Sequence, residues 1–226
     1  FSIVIPILIG ISILKLYHPY DTVKNMMGFY GFNINLTIPF IILPVCASFF
    51  ISYATAPFTA VVSEIFGYYD PGFIFPANIK ELAYQIFSLC IAAPVLEEIF
   101  FRGILLKLFD RYGTLTAVIM SSLAFSLMHF EPSAFLSIFL LGATICILRL
   151  GTGSVFAGML FHCANNYFSL MGLIFKNAVY ISDRAMTVFS IAAAALFPVL
   201  MFIFIKFFSS SFYFEGIGEK KGFSLG

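Results

Sequence analysis

The sequence predicts an all-α fold, a polytopic bundle of transmembrane helices, and three observations carry that prediction. Apolar residues make up 61% of the chain and charged residues only 10%, with a mean hydropathy of +1.03, far from the roughly 25% charged composition of soluble domains. The apolar residues fall into seven runs, against the roughly 20 residues that a helix needs to cross a bilayer. Finally, Lys and Arg alternate from loop to loop in a way that separates two sides of a membrane.

In chain order, the runs are approximately 1–16, 37–66, 81–106, 115–130, 134–149, 154–175 and 186–208. The first is short, begins at Phe1 and lacks the basic stretch of a signal peptide, so it reads as a truncated span with N-terminal sequence missing. The second is overlong and contains Pro39, Pro44 and Pro57, which fits either one kinked helix or a span plus an interfacial stretch. The third carries a charged cluster. The fourth and fifth are divided by Glu131-Pro132, which reads as a turn, and the sixth holds a histidine and two asparagines. The seventh leads into a polar, glycine-rich tail, 209–226, expected to be a flexible cytoplasmic extension of a single integral membrane domain covering 1–226. Small residues at Gly142-Ala143-Thr144, 151–158 and 192–195 mark faces where helices can approach closely. With no tryptophan in the chain, Tyr17, Tyr20, Tyr30, Tyr68, Tyr69, Tyr112, Tyr167, Tyr180 and Tyr213 are the expected interfacial anchors.

If each run crosses once, Lys15, Lys24, Lys107, Arg111, Arg149, Lys206, Lys220 and Lys221 share one side, and Lys80, Lys176 and Arg184 the other. The positive-inside rule makes the first side cytoplasmic, with the C-terminus inside; an eighth span upstream of Phe1 would put the N-terminus inside too. A bacterial cell membrane is the expected location. A net charge of +1 and no basic run longer than Lys220-Lys221 leave no footprint for nucleic acid. Cys46, Cys90, Cys146 and Cys163 stand singly in apolar runs without C-x-x-C spacing and read as small core residues.

The run 81–106 contains Glu97, Glu98 and Arg102. A charge at the centre of a bilayer helix costs at least roughly 2.5 kcal/mol on insertion scales, so three together point to function. At 100° per residue Glu98 and Arg102 share a face as an i, i+4 ion pair, and Glu97 is turned away as the carboxylate left over. Two of the three histidines, His129 and His162, also lie in apolar runs, with Phe125 four residues before the first and Asn166 four after the second. Counted inward at 1.5 Å per residue, Glu97, His162 and Asn166 lie about 13–19 Å deep and His129 about 22 Å, compatible with one water-filled cavity. Asn165 points to another face and reads as structural, His18 and Glu64 as interfacial.

The spacing Glu-Glu-x-x-x-Arg, then Phe-x-x-x-His, then His-x-x-x-Asn, in that order over residues 90 to 170, resembles the CPBP family. These are CAAX prenyl endopeptidases and bacteriocin-processing or bacteriocin-immunity proteins, regarded as intramembrane glutamic proteases. From the residues alone, a carboxylate held out of bulk water takes a proton readily, so Glu97 can act as general base on a water oriented by His129. Attack on a peptide carbonyl leaves an oxyanion for which the Asn166 amide and His162 can be donors. The resemblance implies the same roles at the same positions, with Glu98 and Arg102 in support. It implies a peptide or protein substrate, prenylated or a peptide precursor; the lipid bilayer is the other expected partner, and a Glu, His and Asn set without a compact zinc motif points to no cofactor.

Two other classes fit part of the pattern. Glu97, His129 and His162 make the His₂Glu set of catalytic zinc, although no H-E-x-x-H places two ligands on one helix. A non-catalytic transporter or bacteriocin-immunity protein could use intramembrane carboxylates and histidines as a proton relay, although no inverted repeat accompanies them.

Overall fold

The computed structural model describes residues 3–31, 37–67, 74–178 and 182–208, with side chains over 41–67, 74–175 and 182–207 in the last three segments. Every regular element there is helical: α1 Val4–Tyr17, α2 Val23–Met27, α3 Thr37–Phe66, α4 Ile79–Gln85, α5 Ala93–Glu98, α6 Leu106–Asp110, α7 Thr114–Met128, α8 Phe135–Thr152, α9 Val155–Ala178 and α10 Asp183–Phe208. Two π-helical segments, π1 Ile86–Ala92 and π2 Ile99–Leu105, join α4, α5 and α6 into one continuous rod from 79 to 110. The expected tail, together with Tyr68, Tyr69, Tyr180 and Tyr213, lies outside the described residues.

Among the described residues, three helices are long and apolar enough to cross a membrane: Ile41–Phe66, Phe135–Thr152 and Asp183–Phe207. α1 and α7 are apolar but shorter. The overlong second run folds as one helix, with Pro44 and Pro57 inside it. In α10, Val188, Ile191, Val199, Phe202 and Phe207 are all more than half exposed, so this helix carries an apolar face not covered by the other described helices.

α3, α8, α9 and α10 enclose the largest apolar core, with Leu43, Cys46, Ala47 and Ile51 of α3 against Ala157 and Phe161 of α9 and Ala193, Phe197 and Met201 of α10. A second core packs α1 and α2 onto π2 through Ile7, Leu14, Met26, Met27 and Ile104. There Gly10 permits a close approach: a Cβ on it would lie 2.6 Å from Ile104. A third joins α6, α7 and α8 through Leu106, Ala117, Cys146 and Leu150. Small residues flagged in the sequence sit in helix contacts, Ala193 in the first core and Gly142 and Gly158 against Arg102 and Glu98 of the rod. All four cysteines are free.

Short polar devices end the helices. α2 starts at Thr22, whose hydroxyl accepts from the Asn25 amide, and stops at Gly28, which takes the left-handed conformation at φ 70°. The Glu131-Pro132 turn forms as expected, held by Ser133 donating to Glu131. His18 pairs with Asp21 at 3.4 Å, and Glu64 is exposed in the last turn of α3.

Candidate functional site

The charged cluster sits where the rod crosses α7, α8 and α9. Glu98 is the last residue of α5 and Arg102 lies in π2; both are completely withdrawn from solvent, and Arg102 Nη1 donates to Glu98 Oε1 at 2.8 Å. The i, i+4 pair expected from the sequence is present, even though the helix between its members has the wider π repeat. Arg102 Nη2 donates to the Gly142 carbonyl at 3.1 Å, and the guanidinium carbon lies 4.4 Å from the centre of the Phe125 ring. This cation is therefore met from three directions, as burial of a charge demands, although its Nε is buried without a hydrogen-bond partner among the described residues.

Glu98 has a second partner that sequence spacing did not reveal. His162 Nδ1, on α9, lies 2.9 Å from the same Oε1. An ionised carboxylate only accepts, so Nδ1 carries the proton. The other ring nitrogen, Nε2, then faces Glu97 Oε2 at 3.8 Å. The imidazole is thus bracketed by two adjacent carboxylates, one anchored on arginine and the other with a side chain 17% exposed. Glu97 is the more open of the pair, in keeping with its place as the carboxylate left over.

Phe125 is the hub of the site. Its buried ring meets His129 at 4.8 Å, His162 at 5.5 Å and Phe101 at 5.2 Å, each edge-on, besides Arg102. The Phe-x-x-x-His spacing acquires a physical reason: one aromatic surface carries both histidines and the arginine. His129 ends α7, exposed, with Nδ1 2.8 Å from the Phe125 carbonyl. A carbonyl only accepts, so this nitrogen also holds a proton, and in that tautomer Nε2 is the ring's acceptor. The next residue, Phe130, adopts φ 53°, a left-handed conformation that is costly for a bulky side chain and that stops α7 at His129.

Asn166 Nδ2 donates to the backbone carbonyl of Leu89 in π1 at 3.0 Å. Asn165, expected to be structural, is buried and accepts from Ser48 of α3 at 2.8 Å. Among the described residues no three His, Cys, Asp or Glu side chains are arranged to hold a metal ion.

Two glycines belong to the site although the sequence offered only their smallness. A Cβ on Gly158 would lie 3.0 Å from Glu98 Oε2, and one on Gly142 would lie 3.1 Å from Phe125 and 3.2 Å from Arg102 Nη2. Both stand in the small-residue stretches read as packing faces; what they pack against is the ion pair itself.

Residues 79–168 match a family model described as type II CAAX prenyl endopeptidase Rce1-like, in agreement with the CPBP resemblance of the three motifs. The matched stretch starts at α4, ends within α9 and includes Glu97, Glu98, Arg102, Phe125, His129, His162 and Asn166. No curated protein and no solved structure matches the chain.

Proposed function

On this Rce1-like domain, within a family of membrane-embedded proteases, we propose an intramembrane endopeptidase that hydrolyses a peptide bond with water activated by Glu97. The observation that carries the reading is the pair of adjacent carboxylates around one imidazole. Glu98 is committed to Arg102 and His162, while Glu97, the more exposed of the two, has no arginine partner among the described residues and only the long contact with His162. A fixed carboxylate beside a half-open one gives two roles to two neighbouring residues, one holding the site together and one accepting a proton.

In this mechanism Glu97 removes a proton from water as the oxygen attacks the scissile carbonyl. His129, with Nε2 available to accept, orients that water. The oxyanion that forms is met by the Asn166 amide, whose second N–H remains after the bond to Leu89, and by Nε2–H of His162 in its doubly protonated form, with Nδ1–H kept on Glu98. Proton return from Glu97 to the departing amine completes hydrolysis. The substrate is a peptide or protein, with a prenylated C-terminal Cys-a-a-X chain as the first choice in view of the family description. The test is incubation of purified protein, made without a histidine tag, with a prenylated Cys-a-a-X peptide, its unprenylated form and an unrelated apolar peptide, with and without chelator. Cleavage is expected for the prenylated peptide and persists in chelator. Activity that is lost on chelation and restored by zinc, with stoichiometric zinc in the protein, moves the reading to Glu97, His129 and His162 as ligands. Intact peptides under all conditions would favour a non-catalytic membrane protein.

We also propose that all seven apolar runs cross the bilayer, with the C-terminus and the loops carrying Lys107, Arg111 and Arg149 in the cytoplasm, on the strength of the Lys and Arg asymmetry. A cysteine introduced at Gly218, on a background without the four native cysteines, is expected to resist an impermeant thiol reagent in intact cells and to react after lysis. Labelling from outside would put the span count wrong by one.

A further inference from the structure

The bond from Asn166 to Leu89 raises a question of backbone accounting. Within a helix, a carbonyl receives the N–H four residues on, or five on in a π turn. For Leu89 those residues are Ala93 and Pro94. The Ala93 N–H goes to Ser88, in the π register. Pro94 has no N–H to give. The Leu89 carbonyl has therefore lost both helical donors, each for a separate reason, and it is this carbonyl that accepts from Asn166 Nδ2 at 3.0 Å.

The surroundings make the loss matter. Beside the bond lies an apolar cavity of about 310 Å³, lined by Ile86, Cys90, Ile91, Cys163, Ala164 and Tyr167 among others. Leu89 is half exposed on the rod, and where the rod crosses a bilayer that exposure is to hydrocarbon and not to water, so a side-chain donor is worth more to this carbonyl there than on a wetted surface. The amide is also held from its other end, where Asn166 Oδ1 accepts from Asn165 Nδ2 at 3.4 Å. With the oxygen and one N–H engaged, the direction of the remaining N–H is fixed.

We propose that Pro94 is a positioning residue: by leaving the Leu89 carbonyl without a helical donor, it creates the acceptor that orients the Asn166 amide against the segment carrying Glu97 and Glu98. The π turn and the proline act together. Either alone would leave one donor for Leu89; together they export its hydrogen bond to α9. The sequence signature is the five-residue interval from Leu89 to Pro94, immediately before the two glutamates. Pro94 itself is buried and acts in this proposal through Asn166, not by touching substrate. In its catalytic consequence this inference rests on the hydrolase reading above; in its stability consequence it does not.

The test is a double-mutant cycle with Pro94→Ala and Asn166→Ala. Alanine in place of Pro94 restores an N–H, so the Leu89 carbonyl regains a helical donor whether the π turn persists or relaxes to α. In the wild-type background Asn166→Ala is expected to lower Tm in detergent by about 2–4 °C. In the Pro94→Ala background the same change lowers Tm by less than about 1 °C, because the carbonyl no longer depends on Asn166. Equal shifts in both backgrounds overturn the inference. On cleavage, Pro94→Ala is expected to lower kcat about 3- to 10-fold with KM unchanged, and to have no further effect once Asn166→Ala is in place. A Pro94→Ala protein with wild-type kcat overturns the positioning role. Absence of cleavage by every variant and by wild type counts against the hydrolase reading and leaves the Tm cycle to decide the proline–asparagine link. If Pro94→Ala does not accumulate, the wild-type side-chain amide is read directly by nuclear magnetic resonance, assigned through its loss in Asn166→Ala. One Asn166 amide proton shifted downfield and slow to exchange supports the bond, and two equivalent, fast-exchanging protons overturn it.

Discussion

Replacing Glu97 with glutamine is expected to leave accumulation and Tm close to wild type while lowering kcat by at least about 100-fold. The position allows such a separation of effects. Glu97 forms no arginine pair; the residue one turn on is Phe101, and its contact with His162 is a long one, 3.8 Å. Glutamine has the same shape, fills the same partly open place and can still accept from or donate to its neighbours. What it cannot do is take a proton from water. The loss should fall on kcat, with KM little changed, because the carboxylate acts on the attacking water and not on substrate binding. Membrane accumulation, thermal stability in detergent and single-turnover cleavage, measured on one preparation, decide it. A fully active Glu97→Gln protein removes Glu97 as the base, and the proposed mechanism with it.

The sequence made legible whatever depends on neighbours within one helical turn. Glu98 and Arg102 are four residues apart, and the ion pair follows from that interval alone. The helical runs were legible because lipid imposes apolar composition along their whole length, and the turn at Glu131-Pro132 because proline cannot continue a helix. What remained hidden depends on contact between distant segments. His162 is 64 residues from Glu98, and no periodicity within α9 announces that it binds the anchored carboxylate as well as facing the free one. Phe125 could be named as part of a motif, but its place as the surface shared by Arg102, His129 and His162 depends on the crossing of three helices. The two π segments were not foreseen either, since the face of each glutamate was assigned with a uniform 100° step. The ion pair survived that error because side chains as long as glutamate and arginine bridge one turn in either geometry. Gly142 and Gly158 show a third kind of limit: smallness was visible, and what the small residue makes room for was not.

The second large effect is expected at Glu98, where alanine should destabilise the protein instead of merely silencing it. That substitution leaves Arg102 buried with only the Gly142 carbonyl and the Phe125 ring to face, and leaves His162 Nδ1 without an acceptor. Breaking a buried pair by removing one partner costs about 3–5 kcal/mol, or roughly 10 °C in Tm for a chain of this size. Poor accumulation should therefore precede any measurement of activity, and Arg102→Ala should behave alike, since it strands the carboxylate instead. The double replacement Glu98→Leu with Arg102→Met separates the two jobs of the pair. With both charges gone there is no stranded ion, and exchange of a whole buried pair for apolar side chains is often neutral or stabilising; part of the lost Tm should return, to the extent that Gly158 can accommodate the leucine. Activity should not return, because His162 still lacks the carboxylate that holds its Nδ1 proton and aims Nε2 at Glu97. Wild-type stability in Glu98→Ala would show that the pair is not the anchor described here, and recovered cleavage in the double variant would show that Glu98 serves the fold alone.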